Sequence, residues 1–446
     1  MPVKAQFDGK QIVDECTHRS AHMYFKWGKI HKNALISSKS APPAPIYGFE
    51  KPGLIRVNWY RFWSLRNILV PSARNLTVTF SLFLQEGTFS FATELTEVDF
   101  HQNRIPSLEI NQWFGNNTNL RKMRFSTTYI SSLSNMPFEN FNKLVFLDLS
   151  GNGITHLSNQ SFAGLMQVER LILSNNIISD IDGGTFTNLP LLVELRLDGN
   201  SLTSLPKNIF SALPSLQTLF LGDNRFSAIT ERFITSQSLT YFNFEDGSVD
   251  SIHAYAFHDI PNIRTLHLAY NAMHYVDDDA FTSTNDSLLV TLDLSHNRLT
   301  HVPANALSKL INVEFLDLSY NPIKTLATNY TAPTLNKLTQ LYLSFTDVYD
   351  VTNDSFFIST PELHTVLLND CQLSSIPTLM FQQLPFLENI NFDHNPVARI
   401  RSAADHDKFP TVKSFSLRFS DQLKEVITEF TIYFGNEIRK NLQSLN

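Results

Sequence analysis

Leu144 opens the run LVFLDLSGNGITHLSNQSFAGLMQ, Val168 opens VERLILSNNIISDIDGGTFTNLPL, and Leu192 opens LVELRLDGNSLTSLPKNIFSALPS. The three align without a gap at a period of 24 residues. Apolar residues recur at positions 1, 4, 6, 11, 14 and 22, with Asn at 9 and Phe at 19. A fixed period of this size marks a stack of like supersecondary units. The register continues from Leu216, Leu239, Ile263, Leu289, Val313, Leu338, Leu363 and Leu387. It extends back to Leu95 and Leu120 and forward, more weakly, to Val412, giving 14 units over about three-quarters of the 446 residues.

Each unit reads as one short strand and a return. Positions 3 to 7 alternate, as in Thr218-Leu219-Phe220-Leu221-Gly222, which is strand periodicity. Leu219 and Leu221 belong to one face, and Thr218, Phe220 and Gly222 to the other. One such strand cannot bury its apolar face alone, so the units must stack. Position 9 follows the strand, where the chain turns away. An Asn amide there donates and accepts at once and satisfies backbone groups inside the turn. The ladder is Asn103, Asn152, Asn176, Asn200, Asn224, Asn271, Asn297, Asn321 and Asn395; Thr128, Gly247, Thr346, Cys371 and Ser420 interrupt it. Gly247 lacks a side chain, which predicts local looseness. Phe138, Phe162, Phe186, Phe210, Phe257, Phe281, Phe356 and Phe381 occupy position 19, with Phe233 one place early. This column explains 36 phenylalanines as core packing, without a ligand.

The repeated LxxLxLxxN segments resemble the leucine-rich repeat family in its 24-residue "typical" form. That resemblance implies an α/β-type repeat solenoid: a curved horseshoe with a parallel β-sheet on the concave face and loops or short helical turns on the convex side. It also implies similarity to extracellular ectodomains of the Toll, Slit and chaoptin kind.

The ends need covering, because an open array exposes apolar faces and sheet edges. Residues 76–94 carry two alternating runs around Gln85-Glu86-Gly87-Thr88, which predicts an N-terminal cap hairpin. The array then spans 95–411, about 13 units. Residues 412–446 hold a degenerate last repeat and, from Ser420, an amphipathic capping helix marked by Leu423, Val426, Ile427, Phe430 and Phe434. A partner-binding helix is the alternative. Residues 1–75 do not fit the repeat. Their net charge is +8, against −15 for the rest, and they read as a basic, poorly ordered arm. A membrane- or nucleic-acid-touching arm is one alternative, and a first exon standing in place of a signal peptide is another.

Composition narrows the function. A pI of about 6.0 argues against a general nucleic-acid binder. No apolar run approaches the 18 residues or so of a membrane helix, so any membrane attachment belongs outside this chain. The start, MPVKAQFDGK, has no recognisable secretory signal. Two cysteines, Cys16 and Cys371, rule out a disulfide framework and a thiolate zinc centre. Extracellular members of the family usually carry cysteine-rich caps, and this chain has neither. N-glycosylation sequons stand at Asn75, Asn116, Asn159, Asn285, Asn329 and Asn353. Those inside the array avoid the strand positions, which favours the secretory pathway.

The concave face, roughly 65 Å long for 14 strands, is the expected binding surface. Its central column, position 5, contains Ile172, Arg196, Phe220, Asn243, His267, Tyr342 and Leu367, with Tyr241 and Glu245 close by. Apolar and aromatic groups facing water at strand positions mark an interface. We therefore expect protein contacts at Ile172, Arg196, Phe220, Tyr241, Asn243, Glu245, His267, Tyr342 and Leu367. His267, Asp293 and Asp317 align on neighbouring strands. Asp293 and Asp317 fit the framework, as Asp148 does, so no metal site is expected. No catalytic motif occurs: there is no HExxH, GxSxG, P-loop or GxGxxG. Cys371 reads as a buried substitute for ladder Asn. The expectation is a non-catalytic receptor-type module with no cofactor. It would bind a protein ligand or receptor subunit outside the cell or at its surface, and a homodimer is compatible with it. An intracellular repeat scaffold is the alternative.

Overall fold

The computed structural model describes residues 46–48, 54–58, 74–79, 86–90, 92–105, 108–115, 119–133, 137–283, 287–326, 335–351, 355–358, 360–377, 384–401 and 412–418. The chain forms two compact units, Met1–Leu192 and Val193–Asn446. In the first, Leu54–Asn58, Asn75–Thr79, Glu97–Asp99, Lys122–Arg124, Phe146–Asp148 and Arg170–Ile172 pair in parallel, in chain order. In the second, ten parallel strands follow in chain order: Glu194–Arg196, Thr218–Phe220, Tyr241–Asn243, Thr265–His267, Thr291–Asp293, Phe315–Asp317, Gln340–Tyr342, Thr365–Leu367, Asn389–Asn391 and Ser414–Ser416. Each unit is thus a parallel-sheet solenoid.

Every one of the 14 expected strands is present, at positions 3 to 5 of its repeat. Paired Cα atoms carry equal repeat positions, as in Leu219↔Phe242 and Phe220↔Asn243. Position 4 points inward: Leu147, Leu171, Leu195, Leu219, Phe242 and Leu292 are buried. Positions 3 and 5 stay half-exposed in most strands, the alternation a pleated ribbon imposes. The return is irregular, with single helical turns such as Ala304–Leu307. A second line of two- or three-residue strands pairs successive coils, for example Ala228–Ile229, Ser251–Ile252 and Tyr275–Val276.

The ladder works as its chemistry requires. Asn297 Nδ2 donates to Leu268 O (3.0 Å) and Leu294 O (3.1 Å), while its Oδ1 accepts from Met273 N (3.0 Å). One side chain therefore ties its own turn to the preceding coil. Asn152, Asn176, Asn224, Asn271, Asn321 and Asn395 repeat this pattern. At the gaps, smaller groups serve fewer partners. Thr346 Oγ1 donates to Leu343 O (2.8 Å), and Cys371 Sγ donates to the same carbonyl (3.2 Å). Cys371 is buried, and burial pushes its thiol pKa up. It serves the ladder, as the sequence suggested. At Gly247 the expected looseness gives way to close contact. A Cβ there would come within 2.5 Å of Asn271 Oδ1, so the next ladder amide already fills the space.

The phenylalanine column lines the far side of the coil. Phe138, Phe162, Phe186, Phe210, Phe257, Phe281 and Phe356 are buried. Phe162–Phe186 and Phe257–Phe281 stack, at 6.1 and 5.6 Å between centroids. Phe233 is half-buried and packs on Phe226 and Phe244. Phe381 lies outside the described residues.

The N-terminal end differs from expectation. Among the described residues of 76–94, no hairpin ladder is present. Asn75–Thr79 is a parallel strand beside Glu97–Asp99, and 86–90 is a turn whose amides donate to the next coil, Gly87 N to Gln112 O and Phe89 N to Trp113 O. The physical reason is visible in Leu76 and Val78. Both are buried like repeat positions 4 and 6, and the first predicted repeat offers an edge that such a strand covers. The 1–75 arm also contributes Leu54–Asn58 to the parallel run, with Ile46–Gly48 antiparallel to it. Its first 45 residues lie outside the described set, as does the C-terminal helix expected after Ser420.

Candidate recognition face

Six of the nine expected contact residues converge in the second unit. Arg196, Phe220, Asn243 and His267 occupy position 5 of four consecutive strands. The Arg196 guanidinium lies 3.9 Å from the Phe220 ring centroid, a cation–π contact. Phe220 meets Tyr241 at 5.5 Å, and Tyr241 meets His267 at 5.3 Å. The result is a half-buried row, Arg196–Phe220–Tyr241–His267, on the open side of the sheet. Asn243 Nδ2 donates to Glu245 Oε2 (2.7 Å) beside it. Burial raises the Tyr241 pKa, so its phenol stays a hydrogen-bond donor. Glu194 and Asp198 lie 3.7 and 3.9 Å from Arg196 Nε, too far for hydrogen bonds. That nitrogen is closed to solvent without a hydrogen-bond partner.

The remaining three stand apart. Tyr342 packs edge-on against Phe315, at 5.0 Å, with Leu367 beside it on the next strand. They lie three and four strands beyond His267. Ile172 is a half-buried residue of the first unit, opposite Asp148. The aspartates of the LDLS segments are framework, as expected. Asp148, Asp293 and Asp317 each accept the backbone N–H two residues on, at 2.8–2.9 Å.

Sequence reasoning missed a second aromatic feature. Tyr270, His296, Tyr320 and Phe345 occupy position 8 of consecutive repeats. Their rings stack at 3.9, 3.9 and 4.3 Å, within 13° of parallel. All four have left-handed backbone, φ 52 to 57°, which costs an L-residue roughly 1–2 kcal/mol. Other repeats place Gly151, Asn175, Gly199 or Asp223 there, residues that tolerate it better. Stacking offsets part of that cost, about 0.5–1.5 kcal/mol per pair. Tyr270, Tyr320 and Phe345 remain 43–53% exposed, along a groove of about 720 Å³ that Gly247, Arg298, Pro322 and Asp347 also line. The signal was present as an aromatic column. Position 8 carries no packing duty in the repeat, so the pattern does not single it out.

Two sequons fall on described residues. Asn159 is exposed on the return, where its Oδ1 accepts from Gly184 N (2.8 Å). Asn75 sits on a strand, half-buried. Asn116, Asn285, Asn329 and Asn353 lie outside the described residues.

A family model described as "Leucine rich repeat" matches residues 118–176, 147–202, 166–226, 190–246 and 287–348. Its segments coincide with the parallel strands and their ladder. Residues 118–246 and 287–348 are leucine-rich repeats. Toll-like receptor 3 of Boselaphus tragocamelus is 27% identical over 166 residues, which is 36% of this chain and 18% of that one. Chicken (Gallus gallus) lumican is 29% identical over 178 residues, 39% of this chain and 47% of lumican. The chain thus spans less than half the length of these relatives. Among solved structures, the glycosylated Drosophila Toll–Spatzle complex aligns with a TM-score of 0.63 at 20% identity. It covers 78% of this chain and 50% of that one. That likeness is one of fold.

Proposed function

We propose that this leucine-rich repeat protein is a non-catalytic recognition module, and that its open sheet face in the second unit binds a protein partner. One observation carries the reading: the Arg196–Phe220–Tyr241–His267 row, side by side on rigid strands. Arg and large aromatic groups are the usual anchors of interfaces. Strands hold them in place, so little conformational entropy is lost on binding. Asn243 and Glu245 supply the polar rim. With the partner bound, amide hydrogen exchange slows across Glu194–Arg196 through Thr265–His267. Protection confined to the return segments would sink the reading.

We also propose that the protein works outside the cell or at its surface. Relatives named as receptors support this, Toll-like receptor 3 and a leucine-rich repeat-containing G-protein coupled receptor 5 among them. So does the exposed sequon at Asn159. Among the described residues no helix is long and apolar enough to cross a membrane. An intracellular scaffold is the second reading, favoured by two cysteines in 446 residues. Peptide mapping of the native protein separates the two. The extracellular reading predicts that enzymatic glycan removal converts Asn159 to Asp. An unmodified Asn159 with no mass shift of the intact chain favours the scaffold.

A further inference from the structure

Glu245, His267 and Asp293 come together from three successive repeats of the second unit. One ligand atom from each lies within 4.8 Å of the other two. The imidazole Nδ1 of His267 is 3.4 Å from Glu245 Oε1 and 3.8 Å from Asp293 Oδ2. The nearer contact is beyond the usual N–H···O range and the farther clearly outside it. This nitrogen is shut off from solvent and makes no hydrogen bond. The ring nitrogen thus lies within 3.8 Å of two carboxylate oxygens without a hydrogen bond of ordinary length to either. The outer oxygens are already held: Asn243 Nδ2 donates to Glu245 Oε2 (2.7 Å), and Ser295 N donates to Asp293 Oδ1 (2.9 Å). Each carboxylate is fixed by one oxygen and offers the other inward. Metal sites orient their ligands with outer bonds of this kind.

We propose that Glu245, His267 and Asp293 form a binding site for a divalent transition-metal ion, with zinc the best fit. Zinc–ligand bonds of about 2.0–2.2 Å place neighbouring ligand atoms roughly 3.3–3.6 Å apart in a tetrahedron. The His267–Glu245 separation meets that already, the His267–Asp293 separation needs a few tenths of an ångström, and all three atoms lie within 4.8 Å of one another. One imidazole with two carboxylates suits zinc better than calcium or magnesium, which take oxygen ligands. Asp317, which aligns with His267 and Asp293 in sequence, is replaced in the set by Glu245. Three protein ligands leave one position, open to water or to a carboxylate or imidazole of a bound partner. The site needs no partner to load, so it stands or falls separately from the recognition reading.

A proton is the competing occupant. Asp293 and then Glu245 raise the His267 pKa against its burial. For Asp293, burial pushes upward, but His267 and Ser295 outweigh it and leave the carboxyl lowered. Zinc takes the neutral imidazole, as at any histidine site.

The test titrates zinc chloride into the full chain at neutral pH, followed by calorimetry and native mass spectrometry. One saturable zinc per chain is expected. His267→Ala abolishes it, and Asn243→Ala weakens it about 10- to 100-fold. Glu245→Gln, which keeps the side-chain volume, also abolishes it and covers the case in which His267→Ala unfolds. The trio His156, Asp180 and Asp182, of which the first two are exposed, provides the control. No saturable uptake by the folded wild-type chain overturns the site. So does uptake that survives Glu245→Gln, or that His156→Ala removes.

Discussion

Asn321→Ala lowers the stability of the array by about 4 kcal/mol. Asn321 is 1% exposed. Its amide donates to Leu294 O (2.9 Å) and Leu318 O (3.0 Å), and its Oδ1 accepts from Leu299 N (2.9 Å). Leu294 O keeps its bond from Asn297 Nδ2 (3.1 Å), but alanine leaves Leu318 O and Leu299 N buried without their partner, at about 1–3 kcal/mol each. The chain supplies its own rescue experiment. Thr346 stands at the same repeat position and still satisfies Leu343 O. Asn321→Thr is therefore expected to lose less than Asn321→Ala. Urea unfolding followed by circular dichroism measures both. A loss below about 1 kcal/mol for Asn321→Ala would mean that water or relaxation satisfies the turn.

Phe220→Glu weakens partner binding at least about thirty-fold, roughly 2 kcal/mol, and leaves the fold standing. The two halves of that statement rest on neighbouring residues. Leu219 and Leu221 are fully buried and hold the strand in the core. Phe220 is half-buried on the other face, beneath the Arg196 guanidinium and against Tyr241. A glutamate there removes the aromatic anchor and draws Arg196 into an ion pair. The flat apolar contact a partner would use is then gone. Cooperative unfolding near the wild-type midpoint shows that the core is intact. Collapse of the fold would instead place Phe220 inside it.

The fold was legible because each turn states the same pattern. Strand positions, ladder bonds and the buried phenylalanine column follow from a period repeated 14 times, and Cα pairing such as Phe220↔Asn243 keeps the register. Where the pattern is stated once, reading failed. Leu76 and Val78 are a single LxV pair followed by Gln85-Glu86-Gly87-Thr88, and turn chemistry suggested a hairpin although the neighbouring edge strand decided the pairing. Gly247 showed a missing side chain, while the amide that fills the gap belongs to Asn271, one repeat later. The recognition row was readable because position 5 places Arg196, Phe220 and His267 on adjacent strands. The Tyr270–His296–Tyr320–Phe345 stack was not, since stacking depends on a left-handed backbone that aromatic residues seldom adopt. Likewise, repeat position groups His267 with Asp293 and Asp317, whereas side-chain reach substitutes Glu245.

Binding of the wild-type chain to an array of secreted and cell-surface ectodomains, beside Phe220→Glu and a control, tests recognition most directly. Ile311→Glu is the control, because Ile311 is exposed at 41% and lies outside the aromatic row. The open face predicts at least one saturable partner that Ile311→Glu retains and Phe220→Glu loses. Partners that bind Phe220→Glu as tightly as the wild-type chain would contradict it.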